Sequence, residues 1–112
     1  MKANRRTSCR LRRNNDPGTF NTALAKLIPR LKKDLGAVTI RQGYKGTGAK
    51  SHRRQIFVRL ANDQSIDIWL DAHVVRLGGV MYSGFGHISN ADKTPTEVYA
   101  ELVTKLRPIA AR

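Results

Sequence analysis

The sequence predicts an α+β domain: an antiparallel sheet of three to four strands, an N-terminal and a C-terminal helix on one of its faces, and a disordered basic arm ahead of it. Three observations predict this. Residues 53–71, RRQIFVRLANDQSIDIWLD, alternate apolar and polar side chains on both sides of a turn-forming cluster, the pattern of a half-buried β-hairpin. Stripes with the helical period lie on either side of it, Phe20, Leu24, Leu27, Ile28, Leu31 and Leu35 before and Val98, Tyr99, Leu102, Val103 and Leu106 after, as core-facing helices require. The first 18 residues have Leu11 as their only large aliphatic side chain after Met1 and so cannot bury enough surface to order themselves. At 112 residues the chain suffices for one modest core, and the domain is placed at 19–112 behind an arm at 1–18.

The arm, MKANRRTSCRLRRNNDPG, carries Lys2, Arg5, Arg6, Arg10, Arg12 and Arg13. Arginines at this density can follow a phosphate backbone or enter a narrow minor groove. Asp16-Pro17 or Thr19 can cap the first helix, with Pro17 suited to its first position. Pro29 falls inside the stripe and should kink or split that helix, and Gly36 suits the position just beyond it. Ala37 to Tyr44 then reads as a strand with Val38 and Ile40 inward and Thr39 and Arg41 outward.

A loop rich in Gly, Lys and Arg follows, with Lys45, Lys50, Arg53 and Arg54 and with His52 among them. Gly43-x4-Gly48-Ala49-Lys50-Ser51 comes close to a phosphate-binding loop but has one residue too many before the lysine. It is also followed by a strand, where the motif needs a helix N-terminus. Nucleotide hydrolysis is therefore set aside in favour of a flexible loop that approaches phosphates.

In the hairpin a three-residue loop, Asn62-Asp63-Gln64, sets Leu60 against Ile66, Val58 against Ile68 and Ile56 against Leu70. It also sets Arg59 against Asp67 and Phe57 against Trp69 on the second face. A two-residue turn would mix the faces. After the hairpin, 73–77 and 80–88 supply one or two more strands, with Gly78, Gly79, Gly84 and Gly86 marking turns or bulges. Ser83 to Ile88 partly matches the octamer of RNA-recognition motifs, but Ser83, His87 and Asn90 stand where a cation and two aromatics belong. Thr94-Pro95-Thr96-Glu97 is a capping box opening the last helix, and Pro108 is expected to end it.

The formal net charge of +13 is segregated. Residues 1–59 hold sixteen Lys/Arg against Asp16 and Asp34, and residues 60–112 hold five against six acids, giving +14 and −1. Such polarity favours a polyanionic partner, nucleic acid ahead of membrane or acidic protein. The expectation is a small basic nucleic-acid-binding protein, DNA or RNA, with Arg5, Arg6, Arg10, Arg12, Arg13, Arg41, Lys45, Lys50, His52, Arg53 and Arg54 on phosphates and Phe57 and Trp69 open to bases. Two other readings are open, the first because a small basic α+β domain with helices bracketing an antiparallel sheet resembles the toxin-type ribonucleases in architecture, the second because small size and extreme charge permit it. A toxin-type, metal-independent ribonuclease would draw on Arg41, Lys50, His52, Arg53, His73, Tyr82 or His87; a non-catalytic inhibitor from a phage or mobile element, or a homodimer, would use the Phe57/Trp69 face.

No catalytic set, cofactor or metal site is expected: the three histidines are far apart in sequence, and Cys9 is the only cysteine, which also precludes an intrachain disulfide. With no apolar run of membrane length and no signal-peptide core, a cytoplasmic or nucleoid-associated protein is expected.

Overall fold

The structure is a computed structural model that describes residues 16–79 and 86–112. Its elements are α1 (Pro17–Leu27), a 3-10 turn (Ile28–Arg30), α2 (Leu31–Asp34), β1 (Ala37–Lys45), a second 3-10 turn (Gly48–Lys50), β2 (Arg54–Leu60), β3 (Ser65–Leu70), β4 (Val74–Gly79), β5 (Gly86–Ser89) and α3 (Pro95–Ala110). The strands form one antiparallel meander in the order β1-β2-β3-β4-β5. The sheet thus has five strands where three to four were expected, because the glycine-rich stretch after the hairpin yields two short strands. None of the described helices is long and apolar enough to cross a membrane.

Local chemistry explains the helices. Asp16 caps α1 by accepting from the Gly18 amide (3.2 Å) and the Thr19 hydroxyl (2.6 Å), and Pro17 stands at the first helical position. The Thr19 hydroxyl, with the nearby backbone amides, holds the Asp16 carboxyl below the ordinary carboxylate range. Pro29 lacks an N–H, so the helix passes through a 3-10 turn before α2 resumes. Gly36, at φ 71°, closes it.

At α3 the capping box is complete: the Thr94 hydroxyl accepts from the Glu97 amide, and the Glu97 carboxylate accepts from the Thr94 amide. Pro108 does not end this helix, which runs on to Ala110. Pro108 forfeits the bond its N–H would have donated to the Thr104 carbonyl, and contacts beyond it hold the last turn. Ile109 is buried beyond it, and the Asn62 amide donates to the carbonyls of Ile109 (2.9 Å) and Arg112 (3.2 Å).

The core lies between the helices and one face of the sheet. Phe20, Leu24, Ile28 and Leu31 from the N-terminal segment and Val98, Leu102 and Leu106 from α3 close over Ile56, Val58, Leu60, Ile66, Ile68 and Leu70, all buried. Each such side chain contributes on the order of 1.5–3 kcal/mol by leaving water. Tyr99 joins this layer and donates to Asp34 (2.6 Å), with Arg30 over its ring at 5.7 Å. Burial first, and the Asp34 carboxylate second, push the Tyr99 phenol well above its ordinary pKa.

Two registers differ from expectation. In the hairpin, Arg59 pairs with Ser65, Val58 with Ile66, Phe57 with Asp67, Ile56 with Ile68 and Gln55 with Trp69. The loop is Ala61-Asn62-Asp63, closed by Leu60 N–H to Gln64 O (2.9 Å) and Asp63 N–H to Leu60 O (3.0 Å). Asp63 takes φ 67°, a left-handed conformation that Asp tolerates, and the Asn62 side chain accepts from the Gln64 amide. The pairing is displaced by two residues, so every side chain keeps its expected face while the cross-strand partners change. Arg59 bonds Asp63 across the turn (2.9 Å) rather than Asp67, and Phe57 is not opposite Trp69.

In β1, Ala37 pairs with Leu60 and Thr39 with Arg59, leaving Val38 as an extra residue in a bulge. Val38 is 59% exposed and Ala37 buried, reversing the inward placement expected of Val38. Ile40, half-buried, keeps its inward position.

Candidate functional site

The described helices occupy one face of the sheet and leave the other free of helix. On this open face, register places three rows of side chains. The first contains Thr39, Arg59 and Ser65; the second Arg41, Phe57, Asp67 and Gly78; the third Gln55, Trp69, Arg76 and His87. Tyr44, beside the second irregularity of β1, brings its ring to 6.1 Å from Trp69 with an interplanar angle of 45°.

Phe57 lies down across β1. A Cβ on Gly43 would fall on the Phe57 ring, so a glycine is needed there, and the Arg41 guanidinium sits 4.7 Å from the ring centroid. The ring thus covers a bare stretch of strand backbone and carries a cation. Its own faces are largely taken, and it is half-buried. The more accessible aromatics are Tyr44, 45% exposed, and Trp69, 37% exposed.

Two depressions mark the face. A groove of about 460 Å³ runs between Thr39, Arg41, Phe57, Arg59, Ser65 and Asp67. A smaller cleft of about 280 Å³ is lined by Tyr44, Arg53, Trp69, Leu70 and Asp71.

At the end of the second cleft Asp71 gathers a bonded cluster. Its carboxylate accepts from Arg53 Nε (3.1 Å) and the Ala72 amide (2.8 Å), and His52 Nε2 lies 3.7 Å away. Partial burial pushes the Asp71 carboxyl up, but the Ala72 amide, Arg53 and the charge of Arg76 outweigh it and hold it below the ordinary carboxylate range. Beneath the cluster Asn21 of α1, fully buried, donates from Nδ2 to the carbonyls of His52 (2.8 Å) and Asp71 (2.9 Å). One helix amide therefore fixes both loops at this end of the sheet.

The residues expected to form the site are divided by the fold. Arg41, Arg53, Phe57 and Trp69 come together on the open face. Lys50 stands exposed in the loop between β1 and β2, and His52 turns toward Asp71. That loop is internally bonded, with Gly46 N–H to Arg53 O (2.8 Å) and Arg53 N–H to Lys50 O (3.0 Å), and Gly46 is seated against the Lys50 backbone where a Cβ has no room. It is a built turn and not an open, unbonded loop.

Lys45 pairs in register with Arg54. Arg54 itself is taken up between α1 and β1, donating to Thr22 (3.1 Å) and Gln42 (3.5 Å). Arg5, Arg6, Arg10, Arg12 and Arg13 lie outside the described residues, as does Tyr82. Of the other residues weighed for a nuclease, His87 sits beside Arg76 on the open face, across β4 from Trp69, and His73 is in the β3–β4 turn.

Tyr44, Arg59 and Arg76 belong to the face and were not in the expected site. Alternation did carry a signal for two of them, since Arg59 shares parity with Phe57, and Arg76 lies between the inward Val75 and Leu77. Tyr44 joins only through the irregularity of β1, which alternation cannot show. Among the described residues, no three His, Cys, Asp or Glu side chains gather as metal ligands would.

No protein-family model, curated protein or solved structure gives a significant match to this chain. The function is accordingly argued from the site alone.

Proposed function

We propose that this protein binds nucleic acid, with the open face of its sheet as the docking surface and the basic arm as a second, electrostatic contact. The observation that supports it best is the composition of that face. Arg41, Arg53, Arg59 and Arg76 are distributed among Tyr44, Phe57 and Trp69 on the side of the sheet that no described helix covers. Arginine and aromatic side chains together suit a polyanion that also presents flat, stackable bases. The +14 carried by residues 1–59 supplies the long-range attraction that brings such a partner in.

The reading is tested with a labelled oligonucleotide and the full chain across a salt series. If about six cations engage duplex phosphates, log K against log salt has a slope near −5. Arg41→Gln, Arg59→Gln and Arg76→Gln should each reduce the slope by about one. Lys32→Gln and Lys105→Gln, on α2 and α3, should leave it unchanged. Binding that ignores salt, or that responds equally to substitutions on both sides, would overturn the proposal.

A further inference from the structure

We infer that the open face takes single-stranded DNA or RNA with its bases turned down onto the sheet, one base stacking on the exposed Trp69 indole beside Tyr44. The inference rests on the nucleic-acid reading above and goes further by naming the form of the polymer and its orientation.

The distribution of charge across the face determines the orientation. Asp67 stands in the middle row, between Phe57 and Gly78 in register, and lines the larger groove with Arg41 and Arg59. Its carboxylate has no hydrogen bond or ion pair with any described residue. A phosphate backbone laid over the centre of the face would meet this unpaired charge and be repelled. A base edge would be welcomed, because the imino and amino N–H groups of bases are donors and a carboxylate is an acceptor. Cations border this centre, Arg41 and Arg59 on one side and Arg53 and Arg76 on the other. The layout fits bases at the centre and phosphates at the margins.

The aromatic geometry determines the form. Tyr44 and Trp69 are both substantially exposed, their ring centroids 6.1 Å apart at 45°, and both line the smaller cleft with Arg53 and Asp71. Arg53 stands at the rim of that cleft. Among the described residues only its Nε is engaged, by Asp71, so its terminal nitrogens can reach the phosphate of a base stacked on Trp69. A duplex keeps its base faces stacked inside and cannot offer one to the Trp69 ring, whereas an unpaired strand can splay them out. Trp69 and Asp67 are two residues apart on β3, about 7 Å along the strand, so two neighbouring bases of an extended strand can engage both.

Trp69 is the only tryptophan of the chain, so its fluorescence reports this corner of the face. The test uses the full chain, a single-stranded 15-mer of mixed sequence as DNA and as RNA, and the duplex of the same sequence, all at one salt concentration. Affinity is read by anisotropy of the labelled strand, and stacking by Trp69 emission. Single strands should quench Trp69 and bind at least about tenfold more tightly than duplex. Tyr44→Ala and Trp69→Leu, both at exposed positions, should each weaken single-strand binding by roughly fivefold to a hundredfold and narrow the preference over duplex, while the melting temperature holds.

Asp67→Asn separates the two orientations. Loss of single-strand affinity supports bases over the centre, and a gain for both forms shows phosphates there and overturns the inference. Equal binding of both forms with unchanged Trp69 emission overturns the inference and leaves the nucleic-acid reading standing. If neither form binds, both fall.

Discussion

Asn21 is the side chain on which the organisation of one end of the open face most depends, and replacing it is the sharpest test of the fold as an explanation of the site. In Asn21→Ala two hydrogen bonds disappear, those to the carbonyls of His52 and Asp71. A net loss of about 0.5–1.5 kcal/mol per bond is usual, with more where the abandoned acceptor stays dry. Both bonds are only partly buried, so water can reach the two carbonyls, no extra cost for dry acceptors applies, and the middle of the range gives about 2 kcal/mol in all. For a domain of this size that corresponds to a fall in melting temperature of roughly 8–16 °C.

Asn21→Asp should cost more than alanine at neutral pH, because it aims a carboxylate at two carbonyl oxygens in a buried position. Part of that extra loss should return on acidification, as the introduced carboxyl takes up a proton and becomes a donor. Urea midpoints at pH 7 and pH 4.5 for the three proteins measure this. If Asn21→Ala lies within 0.5 kcal/mol of the parent, or Asn21→Asp is no worse than alanine, the bridging role is wrong.

Three further outcomes follow from the same geometry. Asn62→Ala removes the donor to the final carbonyls of α3 and the acceptor for the Gln64 amide, and should cost about 1–2 kcal/mol by denaturant unfolding; Asn62→Asp, which keeps the acceptor but sets a negative charge at a helix C-terminus, should be no better. Gly43→Ala should displace the Phe57 ring and cost about 1–3 kcal/mol, and in the Phe57→Ala background the cost should largely vanish, which a double-mutant cycle reads directly. Asp71 has a folded pKa below its ordinary 3.8, so its stabilisation is present above that value and is lost as pH falls through the folded pKa. Asp71→Asn should therefore flatten the decline in stability below about pH 4, with Asp16, shifted in the same direction, supplying part of what remains.

The two faces of the sheet were legible in the sequence because alternation fixes parity, and the displaced register preserves parity. What alternation could not fix was which cross-strand residues meet. Loops 61–63 and 62–64 both keep the aliphatic residues on one side, and the choice rests on distant facts: Asp63 accepting a left-handed backbone, and Asn62 reaching the end of α3. The bulge at Val38 was illegible for a related reason. One inserted residue leaves the pattern looking regular on either side while exchanging Val38 for Ala37 in the core.

The helix ends were readable because capping is local; Asp16, Gly36 and Thr94 declare themselves within four residues. Pro108 misled because what holds the turn beyond it, the burial of Ile109 and the donation from Asn62, is remote in sequence. Asn21 had no local signal at all, since its partners lie in two loops, at His52 and Asp71. Membership of the open face was half legible: Arg41, Phe57 and Trp69 followed from parity, whereas the separation of Arg54 from Arg53 required knowing where α1 packs.

The central claim is that the helix-free face of the sheet is the docking surface, and amide chemical-shift mapping of the labelled full chain with a single-stranded 15-mer tests it most directly. The account predicts that the largest shifts fall on Arg41, Tyr44, Arg53, Phe57, Asp67 and Arg76 and on the Trp69 indole N–H, with α1 and α3 little changed. Shifts concentrated on the helices with the Trp69 indole unmoved would contradict it.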